Sequence, residues 1–464
     1  MRRALGATLA AVAALAAAGC GGGDDGGGDG GSSGDLRGQA ITAWTNEFQP
    51  DRLRKTQSIL TDFTQKTGVK VKLVPIPEDQ LATLITNASA AGKLPDVVMA
   101  TSMADSHAYT REEIFDADAA QAVVDRLGKD TFSQRALELV SDDGKATGVP
   151  SDGWGQLLIY RKDLFDKAGI AAPRTLDDIR AAAEKLDEGR VAGITLATAP
   201  GDGFAAETFE HVALAEGCQL VDDGGKVTFD SPQCVEALRY YGELADHSVA
   251  GSQDVDSTRA TYFAGRAAMI FWSPFLLDGM AGLRDDTRPS CPQCKDDPAF
   301  LAKSSGLVGP LRGEGEPSQF GSVSTFNITV DAKTEAAQEL VEFMMSDGYL
   351  RWIGLSPQGK FPVRAGDATD PERFTKAWAG LESGVDRTAT LSEFYSEESI
   401  ASLGDGVQRF RRWGFPQGQG ALVGALSGEQ PVAKAVAAVV GGKDPAAAAK
   451  DAQAEIEEIQ AGLQ

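Results

Sequence analysis

Residues 39–100 read QAITAWTNEFQPDRLRKTQSILTDFTQKTGVKVKLVPIPEDQLATLITNASAAGKLPDVVMA, and this stretch decides the fold. Short apolar runs typical of strands alternate in it with segments of helical periodicity. The predicted elements are strand 39–44, helix 51–67, strand 69–75, helix 79–91 and strand 96–100. This order is typical of a doubly wound α/β sheet, in which ligands bind beyond the carboxyl ends of the strands. The sequence therefore predicts a ligand site near the loops after the first and third strands.

The rest of the chain predicts a second α/β unit. It opens near residue 148 and includes a hairpin at 219–230, whose turn is Asp223-Gly224-Gly225. The final third of the chain is mainly helical. Residues 39–464 exceed the usual size of one domain, so we expect two lobes.

The N-terminus predicts export and anchoring. Arg2 and Arg3 precede an apolar run that ends in small residues, so 1–19 is interpreted as a signal peptide. The LAAAGC that ends at Cys20 resembles a bacterial lipobox, which implies that Cys20 is lipidated and that cleavage occurs just before it. The alternative is an ordinary secretory peptide that contains a cysteine. Residues 20–38 would then be the lipidated cysteine and a flexible Gly/Asp/Ser linker to an extracellular or periplasmic body.

The charge and the histidine content exclude several classes of function. The formal net charge of −23 disfavours nucleic acid and anionic lipid as partners. The chain has only three histidines and no metal-ligand spacing, so we expect no metal and no cofactor. A G-x-S-x-G pattern at 30–34 lies in the linker, without the strand-turn-helix context of a nucleophile.

Four further cysteines form an even set in an oxidising compartment, which predicts two disulfides. We expect Cys218 to pair with Cys234, because these residues flank the hairpin, and Cys291 to pair with Cys294. The C-x-x-C of the second pair is also found in redox and zinc sites. No βαβ unit precedes it and no second ligand pair follows, so a structural bridge is favoured.

Five motifs follow one another along the chain: LPDVV at 94–98, GKATGVPSDGWGQLLIYRKDLFDKAGIAAPRTLDDIRAAAEKL at 144–186, FAGRAAMIFWSPF at 263–275, FPVR at 361–364 and the helix at 428–439. In this order and spacing they resemble the extracellular solute-binding proteins of bacterial ABC sugar importers, the maltose-binding-like class. The resemblance covers nearly all of residues 39–464.

The resemblance implies a two-lobed α/β fold of the type II periplasmic-binding-protein kind, joined by a hinge that the chain crosses three times. Lobe one would be 39–147 plus 311–365, and lobe two 148–310 plus 366–464. Such lobes close on a ligand by hinge bending. The closed form would then be recognised by the membrane permease of the importer, and we expect a monomer.

Sugars present hydroxyl groups and apolar C–H faces, so their sites combine aromatic rings with paired hydrogen-bonding groups. The aromatic candidates are Trp44, Trp154, Trp272, Phe275 and Trp413, and the polar candidates are Asn46, Glu47, Asp105, Asp152 and Arg364. The resemblance points to Trp272, Phe275 and Trp413, whereas the others follow from their positions in loops and at strand ends. The alternatives are core packing for the aromatic residues and solvated loop charges for the polar ones. Trp352 and Trp378 lie in helical patterns and are expected in the core.

The predicted function is capture of a sugar for import, without enzymatic activity. Two alternatives stay open. The 67 acidic residues allow paired carboxylates, so an extracellular glycoside hydrolase is one of them. A surface adhesin is the other, and it would need a broad exposed binding face instead of a closing cleft.

Overall fold

The computed structural model describes residues 36–463, apart from the side chains of Glu78 and Asp79. The predicted signal peptide, Cys20 and most of the predicted linker lie outside the described residues. The strands are β1 Ala40–Thr45, β2 Lys70–Pro75, β3 Val97–Ser102, β4 Ser141–Asp142, β5 Lys145–Ala146, β6 Val149–Gly155, β7 Leu157–Arg161, β8 Met269–Trp272, β9 Ser305–Val308, β10 Gln319–Ile328, β11 Phe361–Pro362, β12 Glu382–Ser383, β13 Ala389–Thr390 and β14 Phe410–Arg411.

The α-helices are α1 Pro50–Thr67, α2 Glu78–Ala90, α3 Met103–Arg111, α4 Ala117–Leu127, α5 Gln134–Leu139, α6 Lys162–Ala168, α7 Leu176–Leu186, α8 Gly203–Ala215, α9 Pro232–Ala245, α10 Val255–Phe263, α11 Leu277–Met280, α12 Phe300–Ser304, α13 Thr334–Met344, α14 Tyr349–Ile353, α15 Arg373–Trp378, α16 Glu397–Gly404, α17 Gly420–Glu429, α18 Pro431–Val440 and α19 Pro445–Gly462. Short 3₁₀ turns lie at Lys129–Thr131, Pro274–Leu276, Gln293–Lys295, Leu391–Glu393 and Asp405–Arg409.

The larger sheet has the strand order β11-β6-β10-β3-β1-β2, and β14 pairs with the start of β10. Strand β1 is parallel to both β2 and β3, so residues 39–100 form the predicted strand-helix-strand-helix-strand unit. Strand β10, which follows the second lobe in the sequence, lies between β3 and β6 and is antiparallel to both. The chain therefore returns from the second lobe into the middle of the larger sheet. The carboxyl ends of β1 and β3 therefore lie side by side.

Helix α1 shows how the sequence determines these elements. Pro50 occupies its first turn, where no backbone N–H is needed, and Gly68 ends it with a φ of 79°. Its buried face includes Ile59, Leu60 and Phe63, which recur at the helical spacing and pack on the sheet.

The smaller sheet has the order β8-β7-β9, with β7 antiparallel to both neighbours. Residues of β7 and β8 contribute to a second hydrophobic cluster with helices α7, α8, α9, α18 and α19. The disulfides Cys218–Cys234 and Cys291–Cys294 are both present, as predicted. The hairpin predicted around Asp223 has only one antiparallel bridge.

The chain passes between the two sheets from β6 to β7 and from β9 to β10. After β14 it continues into α17, which contacts α3 and contributes Leu422 and Leu426 to the second hydrophobic cluster. The ring of Phe410 packs on the backbone at both crossings. A Cβ at Gly155 would lie 2.5 Å from this ring, and one at Gly321 would lie 2.0 Å from it. Only glycine allows so close an approach, which explains the glycines of β6 and β10. The predicted two-lobed α/β fold is thereby confirmed, although β14 still pairs with β10 well after the third crossing predicted at 365–366.

Strand β6 begins just after the boundary predicted between 147 and 148, yet it pairs within the larger sheet. The chain therefore leaves this sheet near Gly155. Residues 366–409 contact structure on both sides: the Trp378 indole N–H donates to the Pro357 carbonyl at 2.8 Å, and the Tyr395 hydroxyl donates to the Leu277 carbonyl at 2.9 Å.

Candidate functional site

A cavity of about 720 Å³ lies between the larger sheet and the loop that follows β8. The loop after β1, the start of α1, Ala100 of β3, strands β6 and β10 and the turn before β11 form one wall, whereas α10 and the residues after β8 form the other. Of the predicted site residues, the structure brings five to this cavity: Asn46, Glu47, Trp154, Trp272 and Phe275. The cavity thus joins residues of both lobes, at the carboxyl ends of β1 and β3.

The wall from the larger sheet contains a buried ionic network. The Lys360 ammonium lies 2.6 Å from Glu47 Oε1 and 3.1 Å from Asp152 Oδ2, and Arg52 lies 2.7 Å from Glu47 Oε2. The Trp352 indole N–H donates to Asp152 Oδ1 at 2.7 Å. Lys360 is 2% exposed and Asp152 is 1% exposed, so the charges compensate one another away from water.

This network sets the ionisation of its members. Burial alone would raise the pKa of Glu47, but the positive charges of Lys360 and Arg52 outweigh burial and lower the pKa to about 2. Burial alone would lower the pKa of Lys360, and the carboxylates of Asp152 and Glu47 instead raise it. Glu47 and Lys360 are therefore both charged at neutral pH, and each fixes the position of the other.

Four buried polar atoms on side chains that line the cavity have no hydrogen-bond partner within the described residues. They are Asn46 Oδ1, Gln49 Oε1, Gln358 Oε1 and the indole Nε1 of Trp272. Asn46 donates its own amide N–H to the carbonyl of Ala100 at 3.3 Å, which assigns its Oδ1 as the unpartnered atom. Buried polar groups without partners are costly and therefore uncommon in folded proteins. Their concentration in one cavity indicates a ligand that supplies hydrogen bonds.

Backbone strain occurs at the same place. Ala100, within β3, has a φ of 63°, in the left-handed region that disfavours residues with a Cβ. Ala100 lines the cavity and its carbonyl accepts from Asn46.

Aromatic rings cover the opposite wall. Trp272 ends β8 and its ring centroid lies 5.8 Å from that of Phe204 in α8. Phe275 follows in the next turn and lies beneath the guanidinium of Arg52, with 5.5 Å between the Arg52 Cζ atom and the ring centroid. Trp154 lies instead on the wall of the larger sheet, in β6, where it contacts Phe320 at a centroid distance of 5.7 Å.

The charged side chains that line the cavity are balanced and paired. Besides the Glu47 network, Arg259 lies 2.6 Å from Asp256, and Arg284 lies 2.7 Å from Asp286 and 3.8 Å from Asp278. Every one of these four carboxylates has a cation within 4.0 Å. Burial is the main influence on Asp278 and raises its pKa to about 6. Asp278 is thus the one carboxylate among the charged residues lining the cavity whose charge its cation only partly offsets, whereas the others are paired.

A second cavity, of about 330 Å³, is lined by two other predicted residues, Asp105 and Trp413. Asp105 accepts from the Ser102 hydroxyl at the start of α3, and burial raises its pKa. Trp413 is 3% exposed, and its indole N–H donates to the Cys218 carbonyl at 2.9 Å. Its ring packs edge-on against Phe209 in the second hydrophobic cluster, so we place Trp413 in the core.

The remaining three predicted residues do not line the larger cavity. Trp44 packs against a small hydrophobic cluster beside β3. Asp152 does not line the cavity itself but forms an ion pair with Lys360, which does. Arg364 donates to the carbonyls of Leu127 and Met345 at 2.9 and 2.6 Å, so its guanidinium holds the fold together behind the sheet.

The residues that sequence reasoning missed lie in the first turn of α1 and in the turn before β11. They are Gln49, Arg52, Gln358 and Lys360, together with Asp278 after β8. No local signal marks Lys360, because it follows Ser356-Pro357-Gln358-Gly359, a turn sequence in which a lysine is expected at the surface.

The sequence and the fold are similar to those of known proteins. Residues 49–350 match the family model described as bacterial extracellular solute-binding protein. YcjN of Escherichia coli (strain K12), named as a putative ABC transporter periplasmic-binding protein, is 28% identical over 370 residues, which are 77% of this chain and 80% of that protein. An arabinooligosaccharide-binding protein of Halalkalibacterium halodurans is 24% identical over 220 residues, 47% of this chain and 44% of that protein.

Solved structures share the fold. The GacH receptor of Streptomyces glaucescens GLA.O, determined unliganded and in complex with acarbose and an acarbose homolog, superposes with a TM-score of 0.70 at 18% identity, covering 91% of this chain and 98% of that chain. Maltose-bound MalE3 of T. maritima gives 0.68 at 20% identity, covering 90% and 99%. No helix within residues 36–463 is long and apolar enough to cross a membrane. From the family match, the fold and the cleft between its lobes, it follows that the chain belongs to the bacterial extracellular solute-binding proteins.

Proposed function

We propose that this protein is a lipid-anchored, monomeric substrate-binding protein that captures a sugar between its lobes and delivers it to the permease of an ABC importer. The sugar would be an oligosaccharide or a sugar derivative. The observation that carries the proposal is the set of four unpartnered polar atoms in the larger cavity, opposite the rings of Trp272 and Phe275.

The chemistry of the cavity supports a polyhydroxylated, uncharged ligand. The oxygens of Asn46, Gln49 and Gln358 accept hydrogen bonds, and the indole N–H of Trp272 donates one. Aromatic rings stack on the apolar C–H faces of sugars. Apart from the buried Asp278, the charged groups of the cavity already pair closely with one another, which disfavours a charged ligand. The sugars named for the relatives point to the same class of ligand.

A substitution that removes one donor tests this assignment. Trp272→Phe keeps an aromatic ring and removes the unpartnered N–H, so it should weaken sugar binding by about 1 kcal/mol, roughly fivefold, with little effect on the melting temperature. Trp413→Phe is the matched control, because its N–H is satisfied by Cys218 in the core. The control should lower the melting temperature and leave affinity unchanged. If Trp272→Phe binds sugar as tightly as the wild type, the assignment of Trp272 is wrong.

The anchor is a separate part of the proposal, supported by the sequence and by the family. The bacterial extracellular solute-binding proteins act outside the cytoplasm, and lipidation of Cys20 would hold the protein at the membrane. Cys20→Ser should then move the protein from the membrane fraction to the soluble fraction. A mutant that stays in the membrane fraction, together with a wild type that lacks lipid mass, would contradict the lipobox assignment.

The hydrolase alternative is disfavoured by the site. Both oxygens of Glu47 are held in ion pairs, so this carboxylate is not poised to attack a glycosidic carbon. The relatives named above are binding proteins. Prolonged incubation with an oligosaccharide that binds should give no shorter product, and product formation would support the hydrolase instead. An adhesin would need an exposed binding face, whereas the candidate groups line a cavity between lobes.

A further inference from the structure

In the larger cavity, a side chain of one lobe contacts the backbone of the other lobe. Residues 356–360 form a turn before β11, closed by the N–H groups of Gly359 and Lys360, which donate to the Ser356 carbonyl at 3.0 and 2.9 Å. The side chains of Gln358 and Lys360 line the cavity on either side of Gly359. The turn belongs to the lobe of the larger sheet because β11 pairs with β6.

The ring of Phe275 rests on this turn. A Cβ built at Gly359 would lie 2.3 Å from Phe275 Cδ1 and 2.4 Å from Cε1, far closer than van der Waals contact. The φ of Gly359 lies outside the left-handed region, so its backbone conformation does not itself require glycine. The ring of Phe275 is therefore what excludes a side chain at this position.

Arg52 completes the contact. Its guanidinium lies over the Phe275 ring, and it is held by Glu47 at 2.7 Å and by the Ser356 hydroxyl at 3.0 Å. Gly359 and Arg52 both belong to the lobe of the larger sheet. Phe275 instead follows β8 of the smaller sheet, so the contact spans the cleft.

We propose that Gly359 and Arg52 form a seat for the Phe275 ring that sets the width of the cleft at this end, which makes Gly359 a positioning residue for ligand binding. Phe275 then contacts the opposite lobe as well as the cavity. A Cβ at position 359 either pushes the ring into the space of the ligand or holds the lobes apart. Both effects weaken binding, although Gly359 itself has no side chain to contact a ligand. The part of the inference that concerns affinity rests on the proposed function.

A double-mutant cycle tests the seat. Gly359→Ala and Gly380→Ala are each made in the wild type and in Phe275→Ala, and sugar affinity and melting temperature are measured for all variants. Gly380 is the matched control, because its Cβ would meet only the Ala377 carbonyl at 3.7 Å. Gly359→Ala should weaken sugar binding about tenfold and lower the melting temperature by about 2 °C or more relative to the control. In the Phe275→Ala background, Gly359→Ala should change neither quantity, since the obstructing ring is gone.

The outcomes separate the seat from the proposed function. Equal losses in both backgrounds, or a Gly359→Ala protein that matches Gly380→Ala, would overturn the seat while leaving sugar binding intact. If no sugar binds the wild type, the proposed function fails, and the seat is then judged from the melting temperatures, which need no ligand. A temperature loss that disappears with Phe275→Ala supports the seat in that case, and one that persists rejects it.

Discussion

Lys360 allows the sharpest test of the buried network. Lys360→Met keeps a long side chain of similar volume but removes the cation that lies 2.6 Å from Glu47 and 3.1 Å from Asp152. Breaking a buried ion pair leaves uncompensated charge and costs about 3–5 kcal/mol of the free energy of unfolding. Lys66→Met is the matched control, because its pair with Asp347 is 60% and 55% exposed and should contribute under about 1 kcal/mol.

The pH dependence gives a second measure of the same interaction. The pKa of Glu47 is lowered from 4.5 to about 2, so the folded state holds fewer protons than the unfolded state between these values. The stabilisation is therefore present above about pH 4.5 and is lost as the pH falls towards 2, and about 2 kcal/mol of it should disappear between pH 6 and pH 3. In Lys360→Met this acid-sensitive contribution should shrink.

Urea denaturation followed by fluorescence, at pH 6 and at pH 3, measures both quantities. A cost of less than 1 kcal/mol at pH 6, or an unchanged pH dependence in the variant, would refute this account of the network.

Two further predictions concern stability. Asp278 is buried and its pKa is raised to about 6, so the folded state binds more protons than the unfolded state and the free energy of unfolding falls as the pH rises from about 4 to 6. Asp278→Asn should remove this loss, adding about 3 kcal/mol to the free energy of unfolding at pH 7 and nothing below pH 4. Denaturation measured across this pH range checks the prediction. Trp413→Ala should lower the free energy of unfolding by about 3–5 kcal/mol, because it opens a cavity in the core and strands the Cys218 carbonyl. A loss below about 1 kcal/mol would place Trp413 outside the core.

The fold could be predicted because its signals are local. The alternation of apolar runs and helical periodicity in residues 39–100 requires only neighbouring residues, and the βαβαβ unit follows from it. The two disulfides could also be predicted, since each pair of cysteines encloses a short loop. Asn46 and Glu47 could be predicted to line the cavity because they follow β1, and the carboxyl ends of parallel strands form the ligand edge of such sheets.

The rest of the site depends on contacts between residues far apart in the sequence. Lys360 lies 208 residues from Asp152, and nothing near it in the sequence shows that a lysine, ordinarily a surface residue, is buried. The same limitation applies to two candidates that lie outside the larger cavity. Trp413 and Arg364 lie in glycine-rich or strand-end sequence that suggests exposure, yet both are satisfied by backbone carbonyls in the interior.

Isothermal titration calorimetry of the purified protein measures ligand binding with a panel of neutral mono- and oligosaccharides, uronic acids, amino acids and short peptides. We expect at least one neutral sugar to bind with one-to-one stoichiometry, Trp272→Phe to weaken it about fivefold, and the charged solutes not to bind. Binding of an amino acid or a peptide, with no heat from any neutral sugar, would contradict the claim that the cavity between the lobes is a sugar site.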